Sequence, residues 1–134
     1  MVISLKDMNE AAERAVQRIG FEDAQDMLKS DEAVPVDVRE EDEFHSFPRL
    51  PSAISMPRSR LEFKCDPASA NFEPALKSGK MFLVYCQSGG RALLAAKTLT
   101  DMGVENVRLL GGIDDWVAIG GRVEEHQGRL STFG

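Results

Sequence analysis

The sequence predicts an α/β protein with a central, mainly parallel sheet flanked by helices on both faces. Three observations predict it. Short runs of β-branched and apolar residues alternate with segments whose apolar residues recur at helical spacing. The most apolar run, Met81-Phe82-Leu83-Val84-Tyr85-Cys86, is continuous where a half-exposed strand would alternate, as burial on both faces requires. The 134 residues, 43% of them hydrophobic, suffice for one core of ordinary size.

From the N-terminus, Asp7 is placed to cap a first helix, with Glu10 three residues on as its reciprocal partner. Met8, Ala11, Ala12, Ala15, Val16 and Ile19 share one face, and Gly20 is placed to end the helix. A second, short helix follows from Glu22 to about Lys29 with Ala24, Met27 and Leu28 inward. Residues 33–38 read as a buried strand, with Pro35 near its start, where a missing ladder donor is tolerated. The acidic run Glu40 to Glu43 and then Phe44 predict a helical turn. Pro48, Pro51, Pro57, Pro67 and Pro74 break residues 45–80 into loops, leaving room for a brief strand at 53–56 and a helical turn at 59–63.

Residues 81–85 are the clearest strand and 91–102 the clearest helix, with Leu93, Leu94, Ala96, Leu99 and Met102 in register and Gly103 as its stop. Residues 107–110 make a further strand, Gly111-Gly112 a turn, and 113–119 a short helix anchored in the core by Trp116. Residues 1–19 form an N-terminal helical extension, 20–124 the principal domain, and 125–134 a polar tail in which His126 is solvated.

The charge balance narrows the function. With 22 acidic against 16 basic residues the net charge is −6, which argues against nucleic acid, since phosphate contacts need clustered Lys and Arg. No apolar stretch approaches a membrane span, and the N-terminus reaches charge too early for a secretory signal. Two cysteines do not make a disulfide framework, so a reducing cytoplasm is expected. His45 and His126 have no zinc-ligand spacing to the cysteines; no metal is expected.

The chemistry concentrates in Cys86-Gln87-Ser88-Gly89-Gly90-Arg91, between the strongest strand and the strongest helix. In parallel sheets, ligands bind beyond the carboxyl ends of strands. The helix that follows turns its free N–H groups and partial positive charge toward the loop, which favours a thiolate over a thiol. Gly89 and Gly90 allow successive N–H groups to face one centre, and Ser88 offers a hydroxyl. Arg91 adds a permanent charge able to bond an anion or hold loop carbonyls. A cysteine ending a buried strand is commonly only a small hydrophobe. Its conjunction with glycines and an arginine opening a helix favours function.

On these residues the chain resembles the rhodanese (sulfurtransferase) domain family. Three blocks carry the resemblance in order: Val36-Asp37-Val38-Arg39-Glu40 with Glu43-Phe44; the loop Cys86 to Arg91 with Val84-Tyr85 before it and Ala92-Leu93 after; and residues 110–116, Leu-Gly-Gly-Ile-Asp-Asp-Trp, with Gly120-Gly121 and Val123 behind. They span about residues 20–124. The resemblance implies a rhodanese-like fold and a cysteine, Cys86, that cycles through a persulfide whose outer sulfur is cradled by Gln87, Ser88, Gly89, Gly90 and Arg91. Four residues separate Cys86 from Arg91, whereas tyrosine-phosphatase-like loops have five; the residue in the phosphatase arginine's place is Ala92, which cannot clamp a phosphate. Where the family commonly reads Gly-His-Ile-Pro-Gly-Ala, residues 48–53 read Pro-Arg-Leu-Pro-Ser-Ala. Gln87 is neutral where some thiosulfate-using members carry a basic residue, which weakens binding of a dianion.

Asp37 and Arg39 leave a strand end on the same sheet edge as the loop. Asp37 either fixes the loop, by accepting backbone N–H groups or Arg91, or caps the next turn while Arg39 pairs with Glu43. Arg58 and Arg60 either draw an anionic donor to the site or are solvated surface charge. Cys65 is a candidate resolving thiol. These readings together imply a single-domain sulfurtransferase without metal or organic cofactor. Its partners would be a small sulfane donor, such as thiosulfate or a persulfide, and a thiol, cyanide or sulfur-accepting protein. The alternative is a non-catalytic binding or persulfide-relay module acting on a partner protein.

Overall fold

The computed structural model describes the backbone of residues 1–126 and 129–132 and the side chains of residues 1–125. Four strands, β1 Ala33–Asp37, β2 Ile54–Ser55, β3 Met81–Cys86 and β4 Val107–Gly112, form one sheet in the order β2-β1-β3-β4, all parallel. The helices are α1 Leu5–Ala15, α2 Phe21–Lys29, α3 Glu41–His45, α4 Leu61–Cys65, α5 Gly90–Asp101 and α6 Ile113–Ala118. Single 3-10 turns lie at Arg58–Arg60 and Pro74–Lys77.

Alternation along β3 divides the core in two. Phe82, Val84 and Cys86 enter one cluster with Ala12 of α1, Leu61 of α4 and Leu99 of α5. Leu83 and Tyr85 enter the other with Ala24 of α2 and Ile113 and Trp116 of α6. Helices therefore cover both faces, which is why β3 is apolar without a break. Pro35 sits within β1 opposite Leu83, where β2 does not reach: β2 pairs only with Val36 and Asp37.

Three local expectations change. Ser4, not Asp7, caps α1; its hydroxyl accepts the Asp7 N–H at 3.0 Å. The helix stops at Ala15, because Val16 is extended and residues 17–19 run along the open edge of β4. There Leu109 N–H donates to Gln17 O (2.8 Å) and Ile19 N–H to Leu109 O (3.2 Å), sheet bonds that replace a last helical turn. Gly20 is instead the N-cap of α2. Gly111-Gly112 is no turn. Both belong to β4, whose register slips at Leu110 so that Leu109 faces Val84 and Gly111 faces Tyr85.

Beyond α6, β5 Arg122–His126 pairs antiparallel with β6 Arg129–Thr132, so the segment read as a tail carries a strand pair. Reciprocal backbone bonds between Arg49 and Glu124 (3.0 and 2.7 Å) tie β5 to the loop after α3. The exposure of the His126 side chain lies outside the described residues. Trp116 is fully buried, donates its Nε1–H to Arg122 O at 2.8 Å and meets Phe21 edge-on. No helix among the described residues is long and apolar enough to cross a membrane.

Candidate active site

The site is built where β3 ends. Cys86 is its last residue, Gly89 caps α5 with φ at +114°, a conformation that favours glycine, and Gly90 opens the helix. The first helical bond runs from Leu93 N–H to Gly89 O (3.1 Å), so the preceding N–H groups have no intrahelical partner. Cys86 Sγ accepts two backbone donors, Gly89 N–H at 3.1 Å and, from the first turn of α5, Ala92 N–H at 3.3 Å. Donors converging on one sulfur stabilise negative charge there. Cys86 itself is 1% exposed, while Ser88 and Gly90 face solvent above it.

Two struts hold the loop from the sides. On one, Asp37 and Arg39 form a buried pair: Arg39 Nη2 lies 2.8 Å from Asp37 Oδ2, and the Arg39 backbone N–H donates to Oδ1 at 2.9 Å. Burial works against the Arg39 charge, but the Asp37 hydrogen bond and charge outweigh it and raise its pKa. Arg39 then reaches outward, donating Nη1 to Gln87 Oε1 (3.1 Å) and Nη2 to Pro48 O (3.1 Å). On the other, Gln87 Nε2 donates to Asp114 Oδ1 (2.6 Å) and Asp114 N–H to Gln87 O (3.2 Å). Gln87 thus joins the end of β1 to the start of α6.

Gly112 lies opposite Cys86, and a Cβ added there would come within 2.7 Å of Gln87 O and 2.8 Å of Ser88 C. Only glycine lets β4 and the loop backbone approach so closely. Beneath them, the buried Tyr85 hydroxyl accepts the Leu50 N–H at 3.2 Å; burial, then the nearby Asp37 charge, pushes the phenol pKa well above its ordinary value.

Arg91 does not meet Asp37. It makes a bidentate pair with Glu43, Nη1–Oε1 2.7 Å and Nη2–Oε2 3.1 Å. Glu43 Oε1 also accepts the Glu40 N–H at 3.1 Å, closing a capping box at the start of α3. The Arg91 hydrogen bond, despite opposing desolvation, holds the Glu43 carboxyl down at about 2, and the same pairing raises Arg91. The local pairing of Arg39 with Glu43 is therefore replaced by Arg39–Asp37 and Arg91–Glu43.

Of the remaining candidates, Arg58 pairs with Glu62 at 3.1 Å on the surface and Arg60 is exposed; neither bonds the Cys86 loop. Cys65 is buried at the end of α4 and lines a cleft with Phe82, Val104 and Asn106, toward the starting ends of β3 and β4, whereas Cys86 ends β3. Sequence reasoning named Glu43 only as a candidate partner of Arg39, and gave Asp114, Gly112 and Tyr85 no individual role beyond their place in the blocks that carry the resemblance. The spacing of Glu40 and Glu43 carried a capping-box signal; nothing local marked the others.

Comparison with known proteins bears on the family and the fold. The family model described as "Rhodanese-like domain" matches residues 20–119. The thiosulfate:glutathione sulfurtransferase of Saccharomyces cerevisiae is 34% identical over 114 residues, 79% of this chain and 81% of that protein. A Rhodopseudomonas palustris protein of unknown function, described as a possible tyrosine phosphatase, superposes with a TM-score of 0.84 at 34% identity over 92% of this chain and 96% of its own. A rhodanese-related protein from Thermoplasma volcanium gives 0.66 at 28% identity, covering 81% and 97%. The cysteine loop, its position at the end of the central parallel strand and these matches together make the chain a member of the rhodanese-like domain family.

Proposed function

We propose that the protein is a sulfurtransferase that moves a sulfane sulfur from a donor such as thiosulfate or a persulfide to a thiophilic acceptor through a persulfide on Cys86. The observation that carries the reading is the pair of N–H donors, from Gly89 in the loop and Ala92 in the first turn of α5, at 3.1 and 3.3 Å from Cys86 Sγ. The Cys86 thiolate attacks the outer sulfur of the donor and forms a new S–S bond. The donor's own S–S bond breaks, and its electron pair leaves with sulfite or with an organic thiolate. A nucleophile, a thiol or cyanide, then takes the outer sulfur and returns Cys86 as thiolate. A sulfur-carrying protein can fill the same acceptor role.

Gln87 to Arg91 form the cradle, and Asp37 and Arg39 hold it through Gln87. The yeast relative's name, with thiosulfate as donor and glutathione as acceptor, supports a small donor and a thiol acceptor. The description of the Rhodopseudomonas relative as a possible phosphatase raises a different chemistry. Four residues between Cys86 and Arg91, Ala92 in the sixth place and an Arg91 committed to Glu43 favour sulfur transfer over phosphoryl transfer.

Intact mass tests the reading. Wild-type protein gains one sulfur from thiosulfate or from cysteine persulfide and loses it to cyanide, and Cys86→Ser gains none. No gain from either donor would overturn the enzymatic reading in favour of a binding module on the same fold.

A further inference from the structure

Both guanidinium groups that bond to or belong to the Cys86 loop are already paired with carboxylates of the protein. Arg91, the loop's own cation, gives both Nη atoms to Glu43 at 2.7 and 3.1 Å. Arg39 is spent on Asp37, the Gln87 amide and Pro48 O. Asp114 binds Gln87 from the far side. Three carboxylates, Asp37, Glu43 and Asp114, stand against two guanidinium groups, a local net charge of −1. Glu40, Glu41 and Asp42 beside Glu43 add to it. Arg58 is held by Glu62, and the exposed Arg60 follows the Ser59 whose N–H donates to Glu40; neither bonds the loop. What the cradle offers an incoming donor is backbone N–H groups, with its two guanidinium groups, Arg39 and Arg91, held by Asp37 and Glu43.

Resting on the sulfur-transfer reading, we infer that Glu43 is a positioning residue that selects the donor class. By holding Arg91 it turns the site from doubly charged donors such as thiosulfate toward persulfides of organic thiols. In thiosulfate the sulfonate is bonded directly to the transferred sulfur, so both negative charges enter an already negative site. In a persulfide R–S–SH, Cys86 attacks the terminal sulfur, the S–S bond breaks, and R–S⁻ leaves with the electron pair. Any charge on R sits several bonds from the reacting centre.

The test is the second-order rate of Cys86 sulfur loading, read by quench and intact mass, with thiosulfate and with cysteine persulfide. It compares wild type with Glu43→Gln. Glutamine keeps the capping-box bond to the Glu40 N–H, so the turn is retained while the charge is lost. With the charge pairing and the Oε2 bond to Arg91 lost, the thiosulfate-to-persulfide rate ratio is expected to rise about tenfold. A rise below about threefold overturns the inference.

A second readout needs no variant. Wild-type loading from thiosulfate should quicken between about 0.02 and about 0.5 M salt as like charges are screened, and it should do so less in Glu43→Gln. A wild-type rate that is flat or falls with salt overturns the inference even if the variant does not fold. Persistent loading with an unchanged ratio sinks donor selection alone. No loading from either donor sinks the sulfur-transfer reading and this inference with it.

Discussion

Two N–H groups converge on Cys86 Sγ, whereas Cys65 is buried beside the Glu62 charge. Burial, then the Glu62 charge, pushes the Cys65 thiol up to about 11, with Arg58 offsetting part of it. Its cleft neighbour Phe82 lies four positions below Cys86 on β3, about 13 Å along the strand at about 3.3 Å per residue. The burial and raised pKa of the Cys65 thiol argue against it as resolver. In Cys86→Ser, where Cys65 is the remaining thiol, native protein at about pH 8 should take up under about a tenth of an equivalent of iodoacetamide. Labelling should rise only as pH nears 11 and become complete on denaturation at any pH above 9. Fast native labelling at pH 8 would show that the Cys65 site is open.

At the scale of elements, the loop is shaped as much by β4 as by the strand and helix it joins. The bulge at Leu110 turns β4 so that Gly112 lies opposite Cys86, against the Gln87–Ser88 backbone. A methyl group at position 112 cannot be relieved by rotating a side chain, because the atoms it meets at 2.7 to 2.9 Å are main chain. The loop must move. Gly112→Ala should slow sulfur loading about 100-fold, since a shift of about 1 Å in a reacting group suffices for that. Far-UV circular dichroism should stay native. An unchanged loading rate would mean that the N–H geometry at Sγ tolerates the displacement.

For the whole molecule, residues 1–19 are part of the sheet sandwich. Ala12 is fully buried in the first core, and residues 17–19 bond along the free edge of β4. Deleting residues 1–19 should lower stability to urea by at least about 2 kcal/mol, the scale of one large core truncation. It should also promote association through the bared strand edge. A deletion variant with the wild-type urea midpoint and a monomeric gel-filtration profile would show the segment to be an accessory.

Periodicity and spacing are properties of neighbouring residues, and what depends on them was legible in the sequence. They determined the buried strand ending at Cys86, the helix that follows, the six-residue loop and the α/β class. The tertiary structure decided the partners. Arg91 and Glu43, and Arg39 and Gln87, are each 48 positions apart, so no local rule could choose them over an i,i+4 pairing of Arg39 with Glu43. Burying Arg39 at the end of β1 demands the adjacent Asp37, and that frees Glu43 for Arg91. The same competition ends α1 at Ala15, because the unpaired edge of β4 offers residues 17–19 bonds that an isolated helix end does not have.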